Sequence, residues 1–263
     1  MNMIPQCQPP LSPRLTLPTM YDLPSEDPEE PGLPDEFHLL QLELLRLTFR
    51  PPGYPDDEVF TASDLNLYYD LRHPRWYKRP DWFCVLGVPR LYDGQDLRLS
   101  YVIWQEGTAP LAVVELLSPG TEQEDLGQRP REAGQPPSKW TVYERILRIP
   151  YYFVYDRYTN TFRPFGLVLN EYKPLPIEGS GVWLAEARLG LGLWEGTYQG
   201  VTRRWLRWYG EDDQWIPTPA EVEVQRAAVA EERARMAEER ADRERQRAER
   251  LLRRLRELGA DPE

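Results

Sequence analysis

Two acidic residues interrupt stretches of sequence that are otherwise apolar. Asp81 opens the run DWFCVLGV, and Glu115 stands in the middle of LAVVELLS. An ionised carboxylate inside a core strand is costly unless it is paired, hydrogen-bonded or bound to a cation. If the two strands are neighbours, both carboxylates can point to one end of the sheet and share a divalent metal such as Mg²⁺, which takes one or two protein carboxylates. Alternatively, Asp81 caps a turn after Pro80 and Glu115 pairs with an arginine.

A lysine and a tyrosine follow on one predicted helix, SKWTVYERILR. Ser138 is a good N-cap, so Lys139 falls in the first helical turn, where its charge opposes the helix dipole. That unfavourable interaction disappears if the ammonium group faces carboxylates or a phosphate. Tyr143 lies four residues later and therefore on the same helical face. The alternative is a solvated lysine, which costs almost nothing.

Basic residues cluster just before Asp81 although the chain carries a net charge of -11. A globally acidic surface repels phosphates, which argues against strong nucleic-acid binding but leaves room for an enzyme with one local basic patch. The cluster could hold a phosphate backbone beside the metal, with an aromatic ring for base stacking, or it could be a solvated loop. Its basic members are Arg72, Arg75, Lys78 and Arg79, interleaved with Trp76 and Tyr77.

Other chemistries find little support in the sequence. The only histidines, His38 and His73, have no triad-like or metal-like context, so we expect no histidine-based hydrolysis. Two cysteines, Cys7 and Cys84, make neither a disulfide framework nor a zinc-site spacing. The longest apolar runs are far too short to span a membrane, and the N-terminus lacks a secretory signal. These features predict a cytoplasmic protein that does not enter a membrane.

Composition divides the chain into three parts. Residues 1–34 are rich in proline and acidic side chains, which predicts a flexible tail. Residues 35–218 predict an α/β body that begins with a helix capped by Asp35. LAVVELLS is apolar on both faces, which predicts a central strand covered by helices on each side. YVIWQE is predicted to be another strand, and FRPFGLVL with EYKPLPI a hairpin. From LAVVELLS to YYFVYD, a strand–loop–helix–strand order predicts a crossover.

Residues 219–263 predict a long helix rich in arginine, glutamate and alanine. Apolar positions recur there in alternating steps of three and four residues, which is typical of a coiled coil. Alanine occupies most of this seam, so association of residues 221–258 with a second copy or a partner helix would be weak. A lone solvated helix is the alternative.

The order of these motifs resembles the Uma family of bacterial restriction endonucleases, within the superfamily that has the PD-(D/E)xK nuclease core. The resemblance is carried by RPDWFCVLG, VVELLSPGTEQEDLG and KWTVYERILRIPYYFVYD and covers roughly residues 35–220. It implies a restriction-endonuclease-like fold, with a mixed β-sheet core flanked by helices. It also implies a metal-dependent endonuclease that hydrolyses phosphodiester bonds in DNA.

The resemblance also implies roles for individual residues. Asp81 matches the acid of the Pro-Asp motif, and Glu115 matches the second metal-binding acid, with Mg²⁺ or Mn²⁺ as the cofactor. Leu117 stands where a typical nuclease carries its lysine. Lys139 matches a lysine that the family places in the following helix.

Further acids and a tyrosine are additional candidates. Asp125 matches the acid of an Asp-x-Gly turn, and Glu36 in the first helix matches an early acid of the superfamily. Tyr143 belongs to the same helix motif as the lysine. Residues 128–138 form a Pro-rich insertion to which the resemblance assigns no role.

Functions of other classes remain open at this point. A catalytically silent protein with a nuclease fold could act as a scaffold or interaction protein through its C-terminal helix. A purely structural oligomer driven by that helix is a third hypothesis. Metal binding alone does not distinguish the enzyme from the scaffold or the structural oligomer, whereas formation of a cleaved product does.

Overall fold

The computed structural model describes residues 35–117, 125–127 and 135–257. The predicted flexible tail at residues 1–34 and most of the Pro-rich insertion lie outside the described residues. The chain divides into two compact units, with the boundary between Ile216 and Pro217.

The first unit alternates helices with short strands. In chain order its elements are α1 (Glu36–Thr48), a 3₁₀ turn (Asp56–Glu58), β1 (Val59–Ser63), β2 (Leu67–Tyr68), β3 (Tyr77–Lys78), β4 (Trp82–Leu86), β5 (Tyr101–Val102), α2 (Ile103–Glu106), β6 (Ala112–Leu116), α3 (Lys139–Thr141), a π-helical turn (Val142–Ile146), β7 (Tyr151–Asp156), β8 (Thr161–Val168), β9 (Glu171–Pro174), β10 (Gly181–Leu184), β11 (Leu189–Tyr198) and β12 (Val201–Tyr209).

A mixed six-stranded sheet lies at the centre of this unit, with the strand order β1-β4-β6-β7-β8-β9. Strands β6 and β7 are parallel, and the other neighbouring pairs are antiparallel. The connection from β6 to β7 contains α3 and the π-helical turn, as the crossover pattern predicted. Strands β8 and β9 form the predicted hairpin. The mixed sheet with its helices confirms the predicted α/β fold class.

Strand β6 is buried on both faces, as the apolar run LAVVELLS predicted. Side chains alternate across a strand, so Ala112 and Val114 enter one core cluster while Val113 enters the other. Glu115 falls on the same face as Val113, which is the face covered by the π-helical turn. The strand therefore delivers one carboxylate into an otherwise apolar layer.

The opposite face of the sheet is covered by α1 and by a second sheet. Strands β10, β11 and β12 form this antiparallel sheet, and its large side chains pack with α1 against β4 and β6. The sequence predicted helices over both faces of the central strand. A sheet covers part of one face instead, because residues 189–209 form a long hairpin whose inner side chains, among them Trp205 and Trp208, are buried.

Two local predictions were wrong in detail. YVIWQE was predicted as a strand, but only Tyr101–Val102 is extended and the rest forms α2. The helical turn brings Glu106 back to Arg98, whose guanidinium donates to both carboxylate oxygens at 2.8 and 3.0 Å. That nearly buried ion pair compensates both charges.

The helix SKWTVYERILR is also interrupted. After one α-helical turn it widens into a π-helix, in which the N–H group of Leu147 donates to the carbonyl of Val142, five residues earlier. The wider turn allows the three consecutive side chains Val142, Tyr143 and Glu144 to be buried together.

A buried glutamine joins α1 to the edge of the second sheet. Strand β12 is an edge strand, so one side of its backbone has no neighbouring strand to bond to. The amide of Gln41, which is fully buried, donates to the carbonyl of Leu206 at 2.8 Å and accepts from its N–H group at 2.9 Å. The side chain thus replaces a missing strand at this position.

The second unit consists of helix α4 (Pro219–Glu257), and none of its residues is buried. Ion pairs three and four residues apart run along it, as in Arg235 with Glu232 and Glu239. The solvated charged helix agrees with the sequence, while coiled-coil association of residues 221–258 stays a prediction. Within the described ranges, no helix is both apolar enough and long enough to cross a bilayer.

Replacing Gln41 with leucine should lower the free energy of unfolding by about 2–4 kcal/mol, because it leaves a buried donor and a buried acceptor of Leu206 unpaired. Urea unfolding followed by tryptophan fluorescence measures this loss. Gln95→Ala, at an exposed turn, is the control and should be neutral. A Gln41→Leu protein as stable as wild type would contradict the bonding scheme.

Candidate active site

The register of β4 and β6 brings two carboxylates to one end of the sheet. Trp82 pairs with Val114, so one step further along the antiparallel ladder Asp81 stands opposite Glu115. The backbone N–H group of Asp81 lies 3.4 Å from Oε2 of Glu115, and the N–H group of Leu116 donates to Oδ2 of Asp81 at 2.5 Å. The two acids are held by the ends of neighbouring strands.

Glu115 is fully buried and is held at both of its oxygens by the helix that follows in the chain. The Lys139 ammonium donates to Oε2 at 2.8 Å, and the Tyr143 hydroxyl donates to Oε1 at 2.9 Å. Glu115 therefore pairs with a lysine, not with the arginine that the structural alternative assumed. The side chain of Lys139 is 18% exposed, so it is not a solvated surface lysine.

The helix that supplies these two groups is anchored at both ends. The Ser138 side chain accepts from the N–H group of Thr141 at 3.2 Å, which makes it the predicted N-cap. In the π-helical turn, the buried carboxylate of Glu144 accepts from the N–H group of Tyr172 on β9 at 2.8 Å. These contacts fix the position of Lys139 and Tyr143 against the sheet.

Asp125 joins the same cluster from the Asp-x-Gly turn. Its Oδ1 lies 3.2 Å from the Lys139 ammonium, at ion-pair distance but without a hydrogen bond to any group in the described residues. Gly127 has a φ of +68°, and a Cβ atom there would lie 2.7 Å from the Trp140 ring. Glycine thus allows the turn to pack on the residue next to Lys139. This packing gives the motif a structural role that its pattern alone did not assign.

The charges of the cluster are unequal, because three carboxylates surround one ammonium group. Burial raises the pKa of Asp81 to about 6; Lys139 opposes this shift and Asp125 adds to it. Burial also raises the pKa of Glu115 well above its usual range, against the opposing charge of Lys139. For Lys139, burial lowers the pKa, but the charges of Asp125, Glu115 and Asp81 outweigh it, so the net shift is upward and the amine stays protonated.

This donor set fits a divalent cation. With all three acids ionised and Lys139 protonated, two negative charges remain uncompensated, which equals the charge of Mg²⁺ or Mn²⁺. Carboxylate oxygens are the ligands that these hard cations prefer. Because the pKa values of both acids are raised, the cluster holds protons to a higher pH than free carboxyl groups do, and a cation would displace those protons.

The predicted phosphate-binding residues lie on a hairpin that starts and ends beside Asp81. Strands β2 and β3 form this hairpin, and the N–H group of Asp64 donates to the carbonyl of Asp81 across its base at 3.1 Å. Arg72 and Arg75 are exposed in its turn, Lys78 lies in β3, and Arg79 donates to Asn66 at 3.2 Å. Asp70 accepts from Arg72 and His73, so it offsets part of the positive charge.

Glu36 and His38 both lie in the first turn of α1, but their surroundings differ. Glu36 is exposed in the first turn of α1. His38, two residues later, has its Nε2 atom 3.3 Å from Oδ2 of Asp64, and both lie beside Asp81. Burial lowers the pKa of His38, but Asp64, Asp81 and Asp35 outweigh it, so the pKa is raised above 6.5.

No triad-like or metal-like context marked His38 in the sequence, and Asp64 was not among the predicted site residues. The Asp35 cap was the available signal, because it accepts from the N–H group of His38 and so sets the start of the helix. Only the fold shows which neighbour that histidine faces.

The stability of the metal-free protein should depend on the ionisation of Asp81. Its folded-state pKa of about 6 exceeds the ordinary 3.8, so the stability that the protonated group contributes is present below pH 4 and lost as the pH rises through 6. Asp81→Asn, whose amide oxygen can still accept from Leu116, should raise the free energy of unfolding at pH 8 by about 2–3 kcal/mol and less at pH 5.

Urea unfolding in EDTA at the two pH values measures this difference. Asp212→Asn is the matched control, because Asp212 also accepts from a backbone N–H group but is exposed. An Asp81→Asn protein that is less stable than wild type at pH 8 would show that the carboxylate is well compensated without metal.

Comparisons with known proteins give a similar solved structure and a matching family model. A solved structure described as a putative nuclease belonging to DUF820, from Anabaena variabilis, is 12% identical, with a TM-score of 0.41 over 59% of this chain and 76% of that one. A search of curated proteins finds no match. The model of the Uma2 family, described as "Putative restriction endonuclease", matches residues 15–199, which include the whole of the carboxylate cluster. The chain belongs to the Uma2 family.

Proposed function

We propose that this protein is a metal-dependent DNA endonuclease that hydrolyses phosphodiester bonds, with Asp81, Glu115 and Lys139 as its catalytic residues. The observation that carries the proposal is the buried cluster in which one ammonium group contacts Glu115 and Asp125 while Asp81 lies across the strand ends. Strongly shifted pKa values from burial and specific charge partners are characteristic of functional sites. Membership of the Uma2 family supports the same reaction class.

Asp81 and Glu115 would hold Mg²⁺ or Mn²⁺. When bound, such a cation polarises a phosphoryl oxygen and makes water a stronger nucleophile at neutral pH. The protein contributes the orientation of both acids. Leu116 holds one oxygen of Asp81, and Lys139 and Tyr143 hold the two oxygens of Glu115.

Lys139 would stabilise charge on the phosphate. Its ammonium group lies among carboxylates that keep it protonated, so it presents a fixed positive charge at the end of the sheet. A preorganised charge in a site with little water is far more effective than the same charge in solution. Tyr143, with a raised pKa caused by burial and by Glu115, stays a hydroxyl that positions this acid.

DNA would be held by the basic hairpin at residues 67–79. Its cationic side chains form a local basic cluster on an acidic chain, and the last of them, Arg79, lies two residues before Asp81. The rings of His73 and Trp76 stack, with their centroids 3.8 Å apart and an angle of 8° between their planes. This stack makes a flat surface next to Arg72 and Arg75. Phosphate contacts position a duplex, whereas such rings can stack on unpaired bases.

Replacement of catalytic residues should abolish cleavage without unfolding the protein. We expect Asp81→Asn and Lys139→Met each to lower the rate of plasmid nicking in Mg²⁺ or Mn²⁺ by at least about 100-fold, because the first removes a carboxylate that would hold the cation and the second removes the positive charge that would stabilise the phosphate. Gel electrophoresis of supercoiled plasmid and of labelled single-stranded DNA, with EDTA as a blank, measures the rates.

The matched controls are Lys173→Met and Asp212→Asn. Lys173 on β9 also contacts a glutamate, Glu171 at 2.6 Å, but both side chains are exposed. Near-UV circular dichroism reports folding, and an inactive Asp81→Asn protein that is at least as stable as wild type would separate catalysis from folding. Cleavage that survives in both site variants would refute the assignment. A folded wild-type protein that makes no product would favour the catalytically silent scaffold instead.

Charge removal on the hairpin should weaken DNA binding and its salt dependence. The double variant Arg75→Gln/Arg79→Gln should bind duplex DNA more weakly than wild type does. The magnitude of the slope of log K against log[salt] should fall by about 2, because each lost phosphate contact removes roughly 0.9. Fluorescence anisotropy in Ca²⁺ measures both quantities. Arg204→Gln, on the second sheet, should leave the slope unchanged, and an unchanged slope in the double variant would exclude the hairpin.

A further inference from the structure

A histidine and two aspartates meet at the solvent side of the carboxylate cluster. One ligand atom from each of His38, Asp64 and Asp81 lies within 4.8 Å of the others. Three different elements supply them: the first turn of α1, the residue after β1, and the residue before β4. We propose that these three residues form a second divalent-cation site, which prefers a transition metal and shares Asp81 with the catalytic pair.

The backbone around these residues is already fixed. The N–H group of His38 donates to the capping carboxylate of Asp35 at 2.9 Å, so the start of the helix is set. Asp64 has a φ of +51° and donates its N–H group to the carbonyl of Asp81 at 3.1 Å. The ligands therefore require only side-chain adjustment. Two ligands at 2.0–2.2 Å from one metal are about 3.3–3.6 Å apart in a tetrahedral site, so separations of up to 4.8 Å would close by at most about 1.5 Å.

The existing contact between the side chains is weak enough for a cation to replace. Nε2 of His38 and Oδ2 of Asp64 are 3.3 Å apart, longer than a typical N–H···O hydrogen bond. The His38 side chain is 18% exposed and that of Asp64 is 39% exposed, so a cation can enter from solvent. Glu115, by contrast, is fully buried behind Asp81.

The donor atoms indicate the metal. Imidazole nitrogen is a good ligand for Mn²⁺, Co²⁺, Ni²⁺ and Zn²⁺, whereas Mg²⁺ prefers oxygen ligands only. The Asp81–Glu115 pair offers only oxygen and suits Mg²⁺. The two sites would therefore differ in cation preference although they share one aspartate.

The chain supplies its own control for this inference. His73, the only other histidine, also contacts an aspartate, with Nδ1 2.9 Å from Oδ2 of Asp70. Within the described residues, that pair belongs to no group of three metal-ligating side chains. A generic histidine–aspartate pair and the proposed site can thus be compared within one protein.

The test is electron spin-echo spectroscopy of Mn²⁺ bound to the full chain, with Mn²⁺ affinity measured by calorimetry. Wild type and His73→Gln should show modulation from a coordinated ¹⁴N nucleus, and His38→Gln should lose it. Glutamine is acceptable in the first turn of a helix, so this variant should fold. Asp64→Asn, which tolerates the positive φ, should weaken Mn²⁺ binding at this site by at least about tenfold.

Each other result decides against the site. Absence of ¹⁴N modulation in wild type, its persistence in His38→Gln, or its loss in Glu115→Gln would overturn the proposal. If His38→Gln fails to fold, wild-type affinity in Asp64→Asn overturns it as well. The site shares Asp81 with the proposed nuclease but does not require cleavage. A protein with ¹⁴N-coordinated Mn²⁺ and no nuclease activity would remove only the proposed function, and an active protein without that signal would remove only this site.

Discussion

A carboxylate buried in the central strand is the constraint on which the rest of this site depends. Glu115 has no exposed surface and lies between apolar neighbours in β6. Burying an isolated charge would cost far more than the net stability of a domain. The surrounding elements converge on its two oxygens. One helix supplies a lysine and a tyrosine, and the start of the neighbouring strand β4 supplies the backbone N–H group of Asp81.

The charge of Glu115 is only partly compensated, because the cluster holds more carboxylates than ammonium groups. Lys139 is shared between Glu115 and Asp125, and Asp81 stands close by with a pKa raised to about 6 by burial. A purely structural core has no need of an acid at position 115, since a well-packed hydrophobic replacement is often at least as stable as a buried ion pair. Retaining several acids around one lysine makes sense where a cation completes the cluster.

Next to the carboxylates, positive charge is concentrated on the basic hairpin. With a net charge of -11 the protein as a whole repels DNA, and the basic hairpin that ends at Arg79 is the region that can oppose this field next to the carboxylates. The long helix α4 carries opposite charges in i, i+3 and i, i+4 pairs, so acids on the same helix compensate part of its positive charge.

Much of the site could be read from local pattern. Asp81 and Glu115 stood out as acids in apolar runs, and Lys139 and Tyr143 followed from helical spacing after a serine cap. Those signals survive in a single sequence because burial of a strand and capping of a helix are local properties. The family motifs added Asp125, although its place beside Lys139 required the turn at Gly127 and its packing on Trp140.

Long-range placement was beyond the sequence. The second sheet over one face and the meeting of His38 with Asp64 and Asp81 join residues that are far apart in the chain, and hydrophobic periodicity carries no information about such pairs. The sequence by itself determined which strand is central, which acids interrupt apolar strands and where α1, α3 and α4 begin. Only the tertiary structure decided which groups compensate those acids, because the register of β4 on β6 and the crossover to β7 set their distances.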